Sequence, residues 1–320
     1  MNRLCTGQHQ KLPPLPPDRN PRRRYPRNGP LACGAIAHLF TVAISLAVIL
    51  LTGCGESPIR EAPRIEEICE APSGSQPRRA TDFIDTPQPT RRATPKIIGG
   101  STCDPFANRV ALVELYDEED NVVRCSALVI APAKLVTAAH CFDEFVFRAT
   151  VVLGSERREV SGVTNHPRAH PVGDRFSYDV SVATLERPFE QAIPPATLAT
   201  TVTPGDTLYV FGYGRTSVSE DGPLTDPTLY GGTTTVTALE GDFIASFYDG
   251  SGANPCRGDS GGPAFAFDPH TRIFTLVGLV SSGTLESCGP GDETIFSNLL
   301  ASELRDFLTV TAPEILGPSL

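Results

Sequence analysis

The hexapeptide Gly258-Asp259-Ser260-Gly261-Gly262-Pro263 constrains the fold of this chain more than any other stretch. It offers a hydroxyl suited to nucleophilic attack, backbone N–H groups suited to an oxyanion, and an acid beside them. A serine hydroxyl attacks poorly unless a base takes its proton, and the base needs a third group to hold its tautomer and orientation. The chain has a candidate for each role. His140 lies in Thr137-Ala138-Ala139-His140-Cys141, and Asp179 heads the apolar run Val180-Ser181-Val182-Ala183-Thr184-Leu185. The order along the chain is His140, Asp179, Ser260. Any fold this sequence adopts must bring those three distant segments to one point.

Residues Gly258 to Gly262 also satisfy Gly-x-Ser-x-Gly, the nucleophile turn of α/β-hydrolases, whose acid and then histidine follow the serine. Only His270 follows Ser260 here, close behind it, and that reading is set aside. The His, Asp, Ser order with these flanks resembles the trypsin-like (chymotrypsin-fold) serine endopeptidases, from Ile97 to about Phe307. The resemblance implies an all-β fold of two antiparallel six-stranded β-barrels with a C-terminal helix, and a protein or peptide substrate. It implies no cofactor and no metal. Ser260 would attack the scissile carbonyl, His140 would take and return the proton, and Asp179 would orient His140. The amides of Gly258 and Ser260 would form the oxyanion hole, with glycine at 258 because a side chain would crowd that turn.

The body after Ile97 reads as short apolar runs between turn residues, at 110–116, 122–130, 134–137, 146–153, 180–185, 207–211, 263–267 and 273–280. Such spacing predicts β-strands. One amphipathic helix closes the chain, with Leu300, Leu304, Phe307 and Leu308 on one face. The division between the two halves falls near Pro188 to Pro204. His166-Pro167 and His170 are read as surface loop rather than as a ligand pair, and the link from Leu153 to Val163 lacks the acidic loop of calcium-binding relatives.

Pro95-Lys96-Ile97-Ile98-Gly99-Gly100 resembles the activation site of that family. Cleavage after Lys96 by another protease would free the ammonium of Ile97 to pair with Asp259, the acid just before the nucleophile. Asp259 is thus expected to be a latch, and Asp179 the acid of the triad.

Nine cysteines are present. The resemblance pairs Cys125 with Cys141 and Cys256 with Cys288, which leaves Cys69 and Cys103 as an expected third bridge. Cys5 and Cys33 belong to the leader. Residues 1–53 read as an export leader, with Arg22, Arg23, Arg24 and Arg27 ahead of an uncharged apolar run from Leu31 to Leu51. Leu51-Thr52-Gly53-Cys54 resembles the lipobox of bacterial lipoproteins, in which the cysteine is lipidated; an uncleaved transmembrane anchor is the alternative. Residues 54–96 form a Pro-rich tether with too few apolar side chains to bury, and 97–320 the protease domain. Either anchor places that domain outside the cytoplasm, at a membrane. The chain's net charge is −10, although its leader carries seven basic residues against one acidic. The tether balances seven basic against seven acidic residues, so the acidic excess lies after residue 96 and argues against nucleic acid as a partner.

Asn254 falls where the resemblance places the base of the primary specificity pocket, and an amide does not neutralise a cation. Ser281-Ser282-Gly283 matches the strand that pairs with substrate backbone, and Thr294 narrows the pocket. These residues point to a small or medium uncharged substrate side chain. Ser282 in place of a frequent tryptophan, Asn254, and the absence of any tryptophan also fit a second class of function, a surface binding or regulatory lipoprotein on a weak or inactive protease scaffold. The complete set of triad, latch and activation site argues against it.

Overall fold

A computed structural model of the protein describes residues 62–69, 97–142, 146–193, 196–215 and 228–316. The expectations for the leader, for Cys54, for most of the tether and for Lys96 lie outside the described residues. Strands dominate the body after Ile97. Following β1 (Ser101–Thr102), the first half comprises β2 (Val110–Tyr116), β3 (Val122–Ala131), β4 (Lys134–Thr137), β5 (Arg148–Leu153) and β6 (Glu156–Asn165). A short hairpin of β7 (His170–Val172) and β8 (Arg175–Ser177) precedes β9 (Ser181–Leu185). Strands β2-β3-β4-β9-β6-β5 close into a barrel with antiparallel neighbours throughout.

Closure explains why β2 is apolar almost without interruption. Successive side chains point to opposite faces of a strand, and both faces of β2 are covered. Ala111, Val113 and Leu115 fill the barrel with Val129, Leu135 and Val151. Val110 and Leu112 point the other way and pack with Tyr209, Phe211 and Phe265 of the second half.

The second half contains β10 (Thr207–Gly212), β11 (Tyr230–Thr235), β12 (Ala238–Glu240), β13 (Phe243–Phe247), β14 (Pro263–Asp268), β15 (Ile273–Gly283) and β16 (Glu293–Asn298). With β1 they form one eight-stranded sheet in the order β1-β11-β10-β14-β15-β16-β13-β12. Its terminal strands β1 and β12 are not hydrogen-bonded to each other, so the expected second six-stranded barrel is here an open sheet among the described residues. Val210, Ile244, Ala264, Val277 and Phe296 make its interior. The link between the halves runs from Leu185 to Thr207, bracketing the expected boundary.

Three α-helices occur among the described residues. Those are α1 (Ile65–Cys69), α2 (Pro105–Asn108) and α3 (Ser302–Thr311). The last carries Leu304 and Leu308 into the central core with Phe307 beside them, as its spacing predicts, while Leu300 precedes it. His166 departs from the surface reading. It is buried between the rings of Tyr178 and Phe307, and only His170 is exposed.

Three disulfides join Cys69 to Cys103, Cys125 to Cys141 and Cys256 to Cys288. The first fastens the segment before Lys96 to the domain after it. That segment is also packed in place: Ile65 and Cys69 are buried in the central core, and the Tyr209 hydroxyl donates to the Pro63 carbonyl at 2.7 Å. Cutting the chain between Cys69 and Cys103 should therefore leave the N-terminal piece attached on a non-reducing denaturing gel and release it with reductant. Release without reductant would rule the bridge out.

Candidate active site

His140 sits in a single 3-10 turn, Ala139–Phe142, at the end of β4, and the Cys125–Cys141 bridge ties this turn to β3. The imidazole Nδ1 lies 2.7 Å from Asp179 Oδ2, and the His140 backbone N–H donates to Asp179 Oδ1 at 2.9 Å. Phe176 stacks on the ring, with centroids 4.8 Å apart. These contacts fix both the plane of the imidazole and the nitrogen that faces the acid. Nε2 is left for the cleft.

The acid is held mainly from the other half of the molecule. Ser281 of β15 donates its hydroxyl to Asp179 Oδ2 at 2.5 Å, and Ser297 of β16 donates to the Asp179 carbonyl at 2.8 Å. Just before it, Tyr178 has a positive φ of 53°, and its N–H donates to Asp242 Oδ2 at 2.7 Å. Burial pushes the Asp179 carboxyl up, but the charge of His140 and the hydrogen bonds from His140 and Ser281 outweigh it and leave the group below the ordinary carboxylate range. Asp179 thus stays anionic beside the imidazole.

Ser260 belongs to a turn pinned across the same interface. Ser126 of β3 donates its N–H to the Ser260 carbonyl at 2.7 Å and its hydroxyl to the Gly258 carbonyl at 2.9 Å. Gly258 has φ 98°, a conformation that side-chain-bearing residues rarely adopt. Among the described residues the N–H groups of Gly258 and Ser260 have no intramolecular acceptor, whereas those of Asp259, Gly261 and Gly262 do. Two adjacent donors are therefore left for a ligand. His140 and Ser260 line one cleft of about 840 Å³. No hydrogen bond joins the Ser260 hydroxyl to His140 among the described residues; such bonds commonly tighten only when substrate binds.

Asp259, next to the nucleophile, faces away from the cleft and is fully buried. Its carboxylate accepts from the N–H of Gly214 at 2.7 Å and of Cys256 at 2.8 Å. Burial pushes it up to about 7 against those two hydrogen bonds, because among the described residues no cation accompanies it. Ile97 is also buried, at 1% exposure, in the core of the second half. Ile98 exchanges two backbone hydrogen bonds with Asn254, at 3.2 and 3.0 Å. The start of the domain is thereby seated directly behind the specificity residues.

Ser281, Ser282, Gly283 and Thr294 line the cleft. Asn254 is buried behind them, its Oδ1 accepting from Thr294 Oγ1 at 2.8 Å. Its Nδ2 donates to the Cys288 carbonyl at 3.0 Å and to Asp292 Oδ2 at 2.8 Å. Asp292 is the residue that motif reading missed. The available signal was an acid two places before Thr294 in a Gly-Pro-Gly-Asp turn, but turn acids are ordinarily solvated and this one is fully buried. Cys125, His140 and Cys141 also converge, yet their two sulfurs are bonded to each other and do not offer a metal thiolate ligands.

A family model described as Trypsin matches residues 97–302. The chain is 32% identical over 256 residues to Transmembrane protease serine 9 of Rattus norvegicus, covering 69% of this chain and 22% of that protein. It is 27% identical over 220 residues to Transmembrane protease serine 11A of Homo sapiens, covering 58% of this chain and 50% of that protein. To Trypsin of Saccharopolyspora erythraea it is 31% identical over 232 residues, covering 63% of this chain and 93% of that protein. The chain thus spans about half or less of the two transmembrane relatives and nearly all of the third. With that family model covering well over half of its length, the chain belongs to the trypsin family of serine proteases.

Proposed function

We propose that residues 97–320 are a serine endopeptidase domain that cleaves protein or peptide substrates through an acyl-enzyme. Ser260 Oγ attacks the scissile carbonyl while His140 Nε2 takes its proton; His140 then returns the proton to the leaving amine. Asp179 stabilises the imidazolium formed between those steps. The tetrahedral oxyanion is received by the N–H groups of Gly258 and Ser260. The observation that carries this reading is the pairing of an anchored, anionic Asp179 with His140 in a cleft that also presents two unsatisfied amide donors beside Ser260. Incubating the cut protein with a mixed peptide library and reading the new termini tests it. New termini that also appear with Ser260→Ala would defeat it.

Activation follows cleavage after Lys96. The freed Ile97 ammonium supplies the cation that Asp259 lacks in the uncut chain. This gives a pH signature. An acid raised from about 4 in the unfolded chain to about 7 in the folded one contributes its full stability below pH 4 and loses it as pH rises to 7. Over that window the uncut chain should lose about 4 kcal/mol from this group. In the cut chain the ammonium keeps the carboxylate charged without that loss, until pH rises beyond the ordinary α-amino range of about 8 and the paired amine deprotonates. The Tm difference between cut and uncut protein, measured on Ser260→Ala to prevent autolysis, should therefore widen from pH 4 to 7. Parallel curves would show that Asp259 does not sense the cut.

We further propose that the domain lies outside the cytoplasm, held at a membrane through lipid on Cys54 or through an uncleaved apolar span. Support comes from the basic-then-apolar leader ending in Leu51-Thr52-Gly53-Cys54 and from the bridge that keeps the tether attached.

A further inference from the structure

Asp179 can serve His140 only if the chain leading into it is held, and that chain takes an unfavourable turn. Tyr178 has φ 53°, a conformation that a bulky side chain keeps only where its surroundings impose it. Both of its peptide groups are committed. The Tyr178 carbonyl accepts from the Val180 N–H at 2.8 Å, closing a three-residue turn centred on Asp179, and the Tyr178 N–H donates to Asp242 Oδ2 at 2.7 Å. The same oxygen accepts from the Ser177 hydroxyl at 2.8 Å. One carboxylate thus grips the two residues that precede the acid, and a carboxylate accepts roughly twice as strongly as a neutral group.

Asp242 comes from the other half of the molecule, at the turn between β12 and β13, and that turn is itself fixed. The Asn298 N–H donates to the Asp242 carbonyl at 2.8 Å, and Asn298 Nδ2 donates to the Gly241 carbonyl at 3.1 Å. Asn298 ends β16, next to the Ser297 that holds the Asp179 carbonyl. Ser281 and Ser297 act on Asp179 itself. Asp242 instead acts one residue upstream, on the backbone that decides which way the Asp179 side chain leaves. Both Asp179 oxygens are engaged on His140, so a rotation there would be felt at the imidazole.

We propose that Asp242 is a positioning residue for the reaction: by holding Tyr178 in its left-handed conformation it aims Asp179 at His140. It touches neither substrate nor the reacting atoms. This rests on His140, Asp179 and Ser260 acting as proposed above.

The test uses the full chain, cut after Lys96, and the best peptide from the library, with kcat, KM and Tm recorded for each variant. Asp242→Ala should lower kcat by about 100-fold, the cost of a misplacement of roughly 1 Å made away from the chemistry, and leave KM in place. Asp242→Asn should stay within about tenfold of the unaltered rate, because its amide oxygen accepts the same two bonds without the added strength of a charge. Asparagine tolerates positive φ better than tyrosine, so adding Tyr178→Asn to Asp242→Ala should recover about tenfold or more of the lost kcat. Its Tm should nevertheless fall further, since the Tyr178 ring stacks on His166. A merely structural role would move rate and Tm together. If Asp242→Ala does not fold alone, Tyr178→Asn is compared with and without it: a gap in kcat below about tenfold supports the role, and a larger one overturns it. Unchanged kcat in Asp242→Ala, or a loss that Tyr178→Asn leaves in full, overturns the positioning role and leaves the protease reading standing. Cleavage that survives Ser260→Ala overturns both.

Discussion

Ser260→Ala is expected to lower kcat by about 10⁶-fold, the scale seen when a triad nucleophile is removed. The loss should be confined to chemistry. The Ser260 hydroxyl makes no hydrogen bond among the described residues, while the turn that carries it is held through its carbonyl by Ser126. Tm should therefore hardly move. His140→Ala should cost about as much, and the double variant little more than either single one, because the two groups act as a unit. Additive losses would show that they do not share a proton. Hydrolysis of the best library peptide, with the thermal transition recorded on the same samples, checks all three variants.

Lys96→Ala should leave a precursor at least 100-fold less active after treatment with the activating protease, a figure set by the loss of one oxyanion donor. The cause is remote from the bond that is cut. Asp259 adjoins Ser260 and accepts from Gly214 and Cys256, so its charge state is coupled to the turn that aims the Gly258 and Ser260 amides. Without the ammonium, no cation among the described residues accompanies it in the core. Asp259→Asn in an otherwise cut protein should give a similar defect, since it removes the other member of the pair. Full activity in either variant would refute the latch, even with the triad intact.

Much of this site was legible in the sequence because its chemistry depends on residue types in a fixed order. His140 and Ser260 line one cleft, Asp179 is buried against His140, and all three expected disulfide pairs form. The closed first barrel was legible through its apolar runs, since β2 and β4 are buried almost throughout. Strands with other reasons for being strands were not. Glu156–Asn165 closes the barrel with a largely exposed, charged sequence, and Tyr230–Thr235 is mostly glycine and threonine. Neither carries an apolar period, and both are held by their neighbours' hydrogen bonds. The open second sheet depends on which edges pair, which local pattern does not encode. Asp292 was missed for a related reason: its meaning lies in burial and in the bonds from Asn254, Thr284 and Leu285, which only the folded chain reveals.

The most direct test of the account is the rate at which a fluorophosphonate labels the protein before and after a single cut following Lys96, with the labelled residue located by peptide mass. The account predicts slow labelling of the uncut chain, a rise of at least about 100-fold on cutting, all label on Ser260, and none in His140→Ala. Equal rates before and after the cut, or label on any other residue, would contradict it.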